Sequence, residues 1–222
     1  MMYLDADIRE MQFKDIPQIV RNPTLRRCLR LTPIRDYPVL IGALKLQVSK
    51  GEIVSLIGAS GAGKTTLLRI LAGLETRFEG QVNSDSRRVT QPSRKIQVVF
   101  QDNRLLPWLN SHHNIAFATK NLDRKTRATR TREWLSNVGL SDRAKAYPKD
   151  LSGGEESRVA FARVFIEPPE LLLLDEPFRA LDAVTKFDLQ ERLIKIMSDR
   201  ETTAVFVSHS IDDAVLMSDR VI

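Results

Sequence analysis

The chain has 222 residues, with 34 Lys and Arg against 28 Asp and Glu for a net charge of +6, and 42% of its residues are apolar. That length holds one full-sized domain or two small ones and excludes a disordered tail or a stapled mini-scaffold. The single cysteine, Cys28, excludes an intrachain disulfide and points to a reducing compartment, the cytosol.

The opening residues, MMYLDADIRE, mix acids and a base where a secretory leader needs an unbroken apolar core, so no cleaved segment is expected. Residues 1–36 show no sustained period and carry Arg21, Arg26, Arg27, Arg30 and Arg35; they read as a variable lead-in to a domain spanning 37–222. Apolar runs such as Val39 to Leu44 and Leu171 to Leu174 fall far below the ~20 residues of a membrane-spanning helix, so any membrane role is expected to go through a partner.

From Gly51 the pattern changes. Glu52 to Ile57 is a short β-rich apolar run, followed by a glycine-rich turn and then Leu67, Ile70, Leu71 and Leu74 at helical spacing, which predicts strand, loop and amphipathic helix. Ile96 to Phe100 predicts a second strand, opening into QDNRLLPW, where Pro107 breaks any continuing element. The stretch from about 102 to 165 is helical in tone, with Trp134, Leu135 and Val138 on one face and Gly139 as a stop, and reads as an inserted helical subdomain. Within it LSGGE, Leu151 to Glu155, precedes a helix through Phe165. Leu171 to Leu174 with Asp175 predict a strand apolar on both faces, as in a parallel sheet covered by helices. A helix from about Ala183 buries Leu189, Leu193, Ile196 and Met197, and a strand over Thr203–Val207 and a helix over Ile211–Ser218 follow. This alternation predicts an α/β fold with a largely parallel sheet.

Gly58, Gly63, Lys64 and Thr65 fit GxxxxGK[ST], between a predicted strand and a predicted helix. Such a loop, here Gly58, Ala59, Ser60, Gly61, Ala62, Gly63, Lys64, Thr65 and Thr66, turns backbone N–H groups inward around phosphate oxygens, and the following helix adds its free donors and positive dipole end. Lys64 reaches the β- and γ-phosphates and Thr65 ligates Mg²⁺. Asp175, at the end of a buried strand, is placed to hold the same ion, and Glu176 beside it is a candidate base for water.

In order, GASGAGKTT from Gly58, Gln101 after a strand, LSGGE, LLLLDEP from Leu171, ALD at Ala180 to Asp182 and His209 after AVFVS resemble the ATP-binding cassette (ABC) ATPases, the nucleotide-binding subunits of ABC transporters. The resemblance runs from Tyr37 to Ile222. It implies a P-loop NTPase core with an antiparallel β subdomain and an inserted α-helical subdomain. It also implies a homodimer clasping ATP and Mg²⁺ between the P-loop of one copy and Ser152, Gly153 and Gly154 of the other. By the same resemblance Gln101 contacts Mg²⁺ or the attacking water, Glu176 polarises that water, His209 bridges the γ-phosphate and the interface, and Asp182 shapes the interface. Tyr37 is a plausible partner for adenine, with core packing as the alternative. Taken alone, Ser152 with the two glycines would cap a helix, and both roles can hold at once.

FQDNRLLPW and EPFRALDAVT resemble the importers of nitrate, sulfonates and taurine. That implies an integral membrane permease as partner, an extracytoplasmic solute-binding protein acting indirectly, and a cytoplasmic position on the inner face of the membrane. Three positions depart from the family pattern: Glu155, Ser157, and Arg179 where Gly or Ser usually precedes ALD. Arg179 either pairs across the dimer or lies in solvent, and solvent is the favoured reading. Lys120 to Arg132 holds six bases against Asp123; without interleaved aromatics it reads as a solvated helix face, and nucleic acid is not an expected partner. Two alternatives to a transporter motor carry less. A soluble ABC protein working on DNA or ribosomes would have long coiled coils or a second cassette, and a non-hydrolysing regulator would have lost catalytic positions that are filled here. The chain ends where relatives run on into further strands, which reads as a truncated copy.

Overall fold

The computed structural model describes residues 2–12, 39–41, 44–119, 122–179 and 181–222. Tyr37, Cys28 and Ala180 lie outside these residues. Strand β1 (Met2–Gln12) pairs antiparallel with β2 (Val39–Ile41) and β3 (Leu44–Ser49) on one edge. Strand β4 (Ile53–Ile57) and helix α1 (Lys64–Leu71) follow, and β5 (Glu79–Ser84) then returns to pair with the other edge of β1. The two-residue β6 (Arg87–Arg88) closes this layer against β5.

Leu4, Ala6 and Ile8 are fully buried in an apolar cluster with Leu46, Val48, Val82 and the inner face of α1, while Asp5 and Asp7 point the other way. This alternation is that of a strand with one buried face. Residues 2–12 are therefore no variable lead-in, and the boundary expected at 36 fails for them: they form the central strand of the antiparallel layer. Gly80, at φ +131, is where β5 crosses β1 so closely that a Cβ would lie 1.9 Å from the Asp7 carbonyl oxygen.

The second sheet begins with β7 (Ile96–Val99). The chain then makes helices α2 (Ser111–Ala116), α3 (Arg124–Asn137) and α4 (Gly153–Phe165), all within the stretch 102–165. Strand β8 (Leu171–Asp175), helix α5 (Ala183–Asp199), strand β9 (Thr203–Ser208), helix α6 (Ile211–Met217) and strand β10 (Arg220–Val221) complete the chain. The strand order β10-β4-β9-β8-β7 is parallel throughout.

All five residues of β8 are buried, and its leucines divide by parity. Leu172 and Leu174 join Phe161, Phe165, Phe178, Leu189 and Phe206 in one core, and Leu171 and Leu173 join Leu68, Ile70 and Val205 in the other. A run of four leucines is thus a strand covered on both faces. Ile196 is only partly buried at the rim of the first core. Trp134 stacks on Phe165 with ring centroids 6.0 Å apart, which fastens α3 to α4, and Gly139 turns the chain after α3 at φ 67. Arg124, Lys125, Arg130 and Arg132 are exposed, as expected of a solvated basic face, whereas Arg127 is half-buried and donates to the Leu122 carbonyl at 2.7 Å; Lys120 lies outside the described residues. At the base of the molecule the Tyr3 hydroxyl donates to Glu170 (2.9 Å), which also pairs with Lys95 (2.7 Å), joining the two sheets.

Candidate functional site

Because β4, β7, β8 and β9 run in one direction, their carboxyl ends share one edge of the sheet. The register places Ile57 beside Ser208, Val207 beside Asp175, and Leu174 beside Val99. With strands about 4.8 Å apart, the loops after these ends form one cluster. Gly58 to Thr66 leave β4, Gln101 follows β7, Glu176 follows β8 and His209 follows β9. The chain's remote segments meet in the crevice where open α/β sheets bind ligands.

Gly61 and Gly63 stand at φ 82 and 87, in the left-handed region that side-chain-bearing residues avoid, so the loop can curl and present its amides. Gly63 caps α1 without a side chain, and no acid stands in the first turn. Its free N–H groups and dipole are left for an anion. Leu67, Leu68, Ile70 and Leu71 are buried and anchor the helix behind them. The Lys64 ammonium folds back over the loop, donating to the Gly58 carbonyl at 2.7 Å and the Ala59 carbonyl at 2.8 Å. Ala59, Ser60, Gly61, Ala62 and Thr65 are exposed, and Gly58, Gly63, Lys64 and Thr66 half-buried.

Asp175 is 3% exposed. Burial pushes its carboxyl above the usual carboxylate range; a hydrogen bond with Thr65 opposes this, the neighbouring Glu176 charge adds to it, and Lys64 draws it down. The desolvated Asp175 carboxylate, the Thr65 hydroxyl and the amide of Gln101, exposed after the adjacent strand, offer hard oxygen donors. Among the described residues no group of three His, Cys, Asp or Glu could hold a metal. These donors fit Mg²⁺, which keeps several waters and takes phosphate oxygens as ligands.

Glu176 turns the chain at φ 45, a conformation costly for a residue with a Cβ, and its N–H donates to the Val207 carbonyl at 3.0 Å. Its Oε2 lies 3.4 Å from His209 Nδ1 and 3.5 Å from a terminal nitrogen of Arg179. These three side chains line a small cavity of about 130 Å³ that reaches Lys186 and Asp213. Arg179 is exposed, in keeping with the solvent reading, and from there reaches Glu176 of its own chain.

Ser152 caps α4. Its hydroxyl accepts from the Glu155 N–H (3.2 Å) while the Glu155 carboxylate accepts from the Ser152 N–H (2.8 Å), and Arg143 holds Glu155 at 2.9 Å. Gly153 and Gly154 form the first turn, where a Cβ on Gly154 would stand 3.1 Å from Leu181. Asp182 caps α5 by accepting from the Thr185 N–H at 3.0 Å, a bond that holds its carboxyl below the usual range. Among the described residues, none of these four hydrogen-bonds to the Gly58–Thr66 loop of the same chain.

Two residues absent from the sequence reading fix the segment after Gln101. Arg163 on α4 donates to the carbonyls of Arg104 (2.8 Å) and Asn103 (2.9 Å). Buried Asn114 on α2 accepts from Leu106 N–H (2.8 Å) and donates to the carbonyls of Leu106, Leu109 and Asn110. The signal for both was the polar loop itself, whose inward carbonyls need donors.

A family model described as "ABC transporter" matches residues 41–179. The aliphatic sulfonates import ATP-binding protein SsuB of Bacillus cereus is 46% identical over 179 residues, covering 81% of this chain and 71% of that protein. SsuB 1 of Xanthomonas axonopodis pv. citri is 49% identical over 182 residues, covering 81% and 72%. The bicarbonate transport ATP-binding protein CmpC of Synechocystis is 45% identical over 196 residues, which cover 86% of this chain but 29% of CmpC. Among solved structures, the dimeric post-hydrolysis state of the ATP-binding cassette MJ0796 bound to ADP and Pi superposes with a TM-score of 0.83 at 27% identity, over 99% of this chain and 93% of the other.

Proposed function

Because the chain belongs to the ABC transporter family, as an ATP-binding and ATP-hydrolysing subunit, we propose that it powers import of a small solute of the sulfonate, taurine, nitrate or bicarbonate class. The sequence identity to SsuB and CmpC supports that cargo class. The observation that carries the site reading is the Lys64 ammonium bound to the Gly58 and Ala59 carbonyls across the glycine loop, with the buried Asp175 at the end of β8 beside it.

In this reading ATP lies along the loop, and the amides of Gly58–Thr66 receive the β- and γ-phosphate oxygens. Lys64 exchanges the carbonyls of Gly58 and Ala59 for phosphate, a charged partner in place of neutral ones. Thr65, Asp175 and Gln101 would hold Mg²⁺, which when bound neutralises charge on the phosphates. Glu176 accepts a proton from the attacking water as the water oxygen bonds to the γ-phosphorus and the bond to the bridging oxygen breaks. His209, 3.4 Å from that carboxylate, orients it and reaches the γ-phosphate. Ser152, Gly153 and Gly154 of a second copy close over the nucleotide, with Asp182 at the seam and the helical stretch 102–165 carrying them inward. Closure is transmitted to an integral membrane permease, on the cytoplasmic face, and a solute-binding protein delivers cargo from the other side. Among the described residues no helix is long and apolar enough to cross a membrane.

The test is hydrolysis and dimerisation of paired variants. Glu176→Gln retains ATP binding and accumulates as a nucleotide-bound dimer, whereas Lys64→Ala loses ATP affinity. Parent-rate hydrolysis by Glu176→Gln refutes the base, and unchanged affinity in Lys64→Ala refutes the cradle.

A further inference from the structure

We propose that Arg179 is a positioning residue whose ion pair turns the Glu176 carboxylate away from its working direction in the resting chain, so that turnover is faster once this pair opens. The inference rests on the reading of Glu176 as the base. Glu176 and Arg179 stand three residues apart in a tight turn, with the Arg179 N–H donating to the Glu176 carbonyl at 3.2 Å. The turn starts from Glu176 at φ 45, a backbone setting that fixes where its side chain leaves the strand end. The same carboxylate oxygen, Oε2, receives Arg179 at 3.5 Å and His209 at 3.4 Å. Glu176 is mostly buried, with 18% of its side chain exposed, while Arg179 lies over it from the solvent side with 59% exposed.

The cavity into which these groups point is lined by Phe206, Ser208, Ser210 and Asp213 and by no residue of the Gly58–Thr66 loop. The carboxylate is thus held on the β9–α6 side of the crevice, with one of its two oxygens, Oε2, occupied by Arg179 and His209. With Oε2 held on that side, the ion pair also sets the direction of Oε1, the oxygen left to take a proton from water. Of the two partners, the guanidinium carries the fork of donors that fits a carboxylate. A residue without a side-chain charge at this position leaves Glu176 to His209 alone.

The magnitude follows from exposure. An exposed ion pair of this length is a weak restraint, so its removal changes turnover by a factor of about two to five. The experiment measures steady-state ATP hydrolysis by the full chain for the parent, Arg179→Ala, Arg179→Lys and Glu176→Gln, with melting temperature as a control for folding. Arg179→Ala raises kcat about two- to fivefold and leaves the KM for ATP unchanged, because the restraint acts on the base and not on the nucleotide. Arg179→Lys, which keeps a cation in reach, stays nearer the parent. An unchanged or lowered kcat in Arg179→Ala, with Glu176→Gln inactive, overturns the restraint while leaving the base in place. So does a change confined to KM, which would put Arg179 on ATP instead. Parent-rate turnover in Glu176→Gln overturns the base reading itself, a result separable from the other two.

Discussion

The cap that Ser152 provides and the phosphate contact proposed for it can be separated by substitution. Within the chain it caps α4 through the reciprocal pair with Glu155, at 3.2 and 2.8 Å. In the closed dimer proposed above, its hydroxyl would meet the γ-phosphate bound to the other copy. Ser152→Ala removes the cap, a loss of about 1 kcal/mol. For a chain of this size that lowers Tm by about 2–4 °C. Ser152→Asn keeps an oxygen able to accept from the Glu155 N–H, so Tm stays within about 1 °C of the parent. The amide does not reproduce a hydroxyl donating to a charged phosphate, and hydrogen bonds to charged groups are worth enough that turnover falls about 10- to 100-fold. Thermal melting by circular dichroism and ATPase rate on the same preparations give both readouts. Parent-like melting of Ser152→Ala would refute the capping argument. Parent-like turnover of Ser152→Asn would refute the contact across the dimer.

Two further outcomes follow from the charges at the site. Asp175→Asn removes a carboxylate that burial disfavours while keeping an acceptor for Thr65, so Tm rises even as Mg²⁺-dependent hydrolysis drops about 100-fold or more; a fall in Tm would contradict the burial argument. Glu155 is held below its ordinary range first by the Ser152 amide, then by Arg143. A depressed carboxyl stabilises the fold above its unfolded value, about 4.3, and that contribution disappears as pH falls through the folded one. The Tm deficit of Glu155→Ala relative to the parent therefore narrows as pH falls below about 5, and a gap independent of pH would show that charge plays no part.

The parts of the fold legible in the sequence are those whose signal is local. Gly61 and Gly63 announce a loop because few other residues tolerate its backbone, and four leucines ending in Asp175 announce a strand covered on both sides with an acid at its mouth. Strand β1 escaped because its evidence is only Leu4, Ala6 and Ile8 at alternate positions, interrupted by aspartates that face away. Its partners lie up to some eighty residues along the chain, at Leu44–Ser49 and Glu79–Ser84. The setting of Arg179 was illegible for another reason. Its direction comes from the positive φ of Glu176, and nothing in the residue types reports that angle. The clamp by Arg163 and Asn114 on the loop after Gln101 depends on carbonyls that become inward-facing only once α2 and α4 have packed.

The central place of β1 has a consequence for how the chain is built. Residues 2–12 are made before Glu79–Ser84, yet one of their two edges waits for that segment. At ribosomal speeds of ~5–20 residues per second that delay is roughly 4–15 s. Throughout it, a nascent strand with three greasy side chains on one side has an unclaimed row of amides and carbonyls. Completion of the antiparallel layer is thus timed by translation, and slowing elongation before codon 84 lengthens the interval in which a chaperone, or another nascent copy, can claim that edge first.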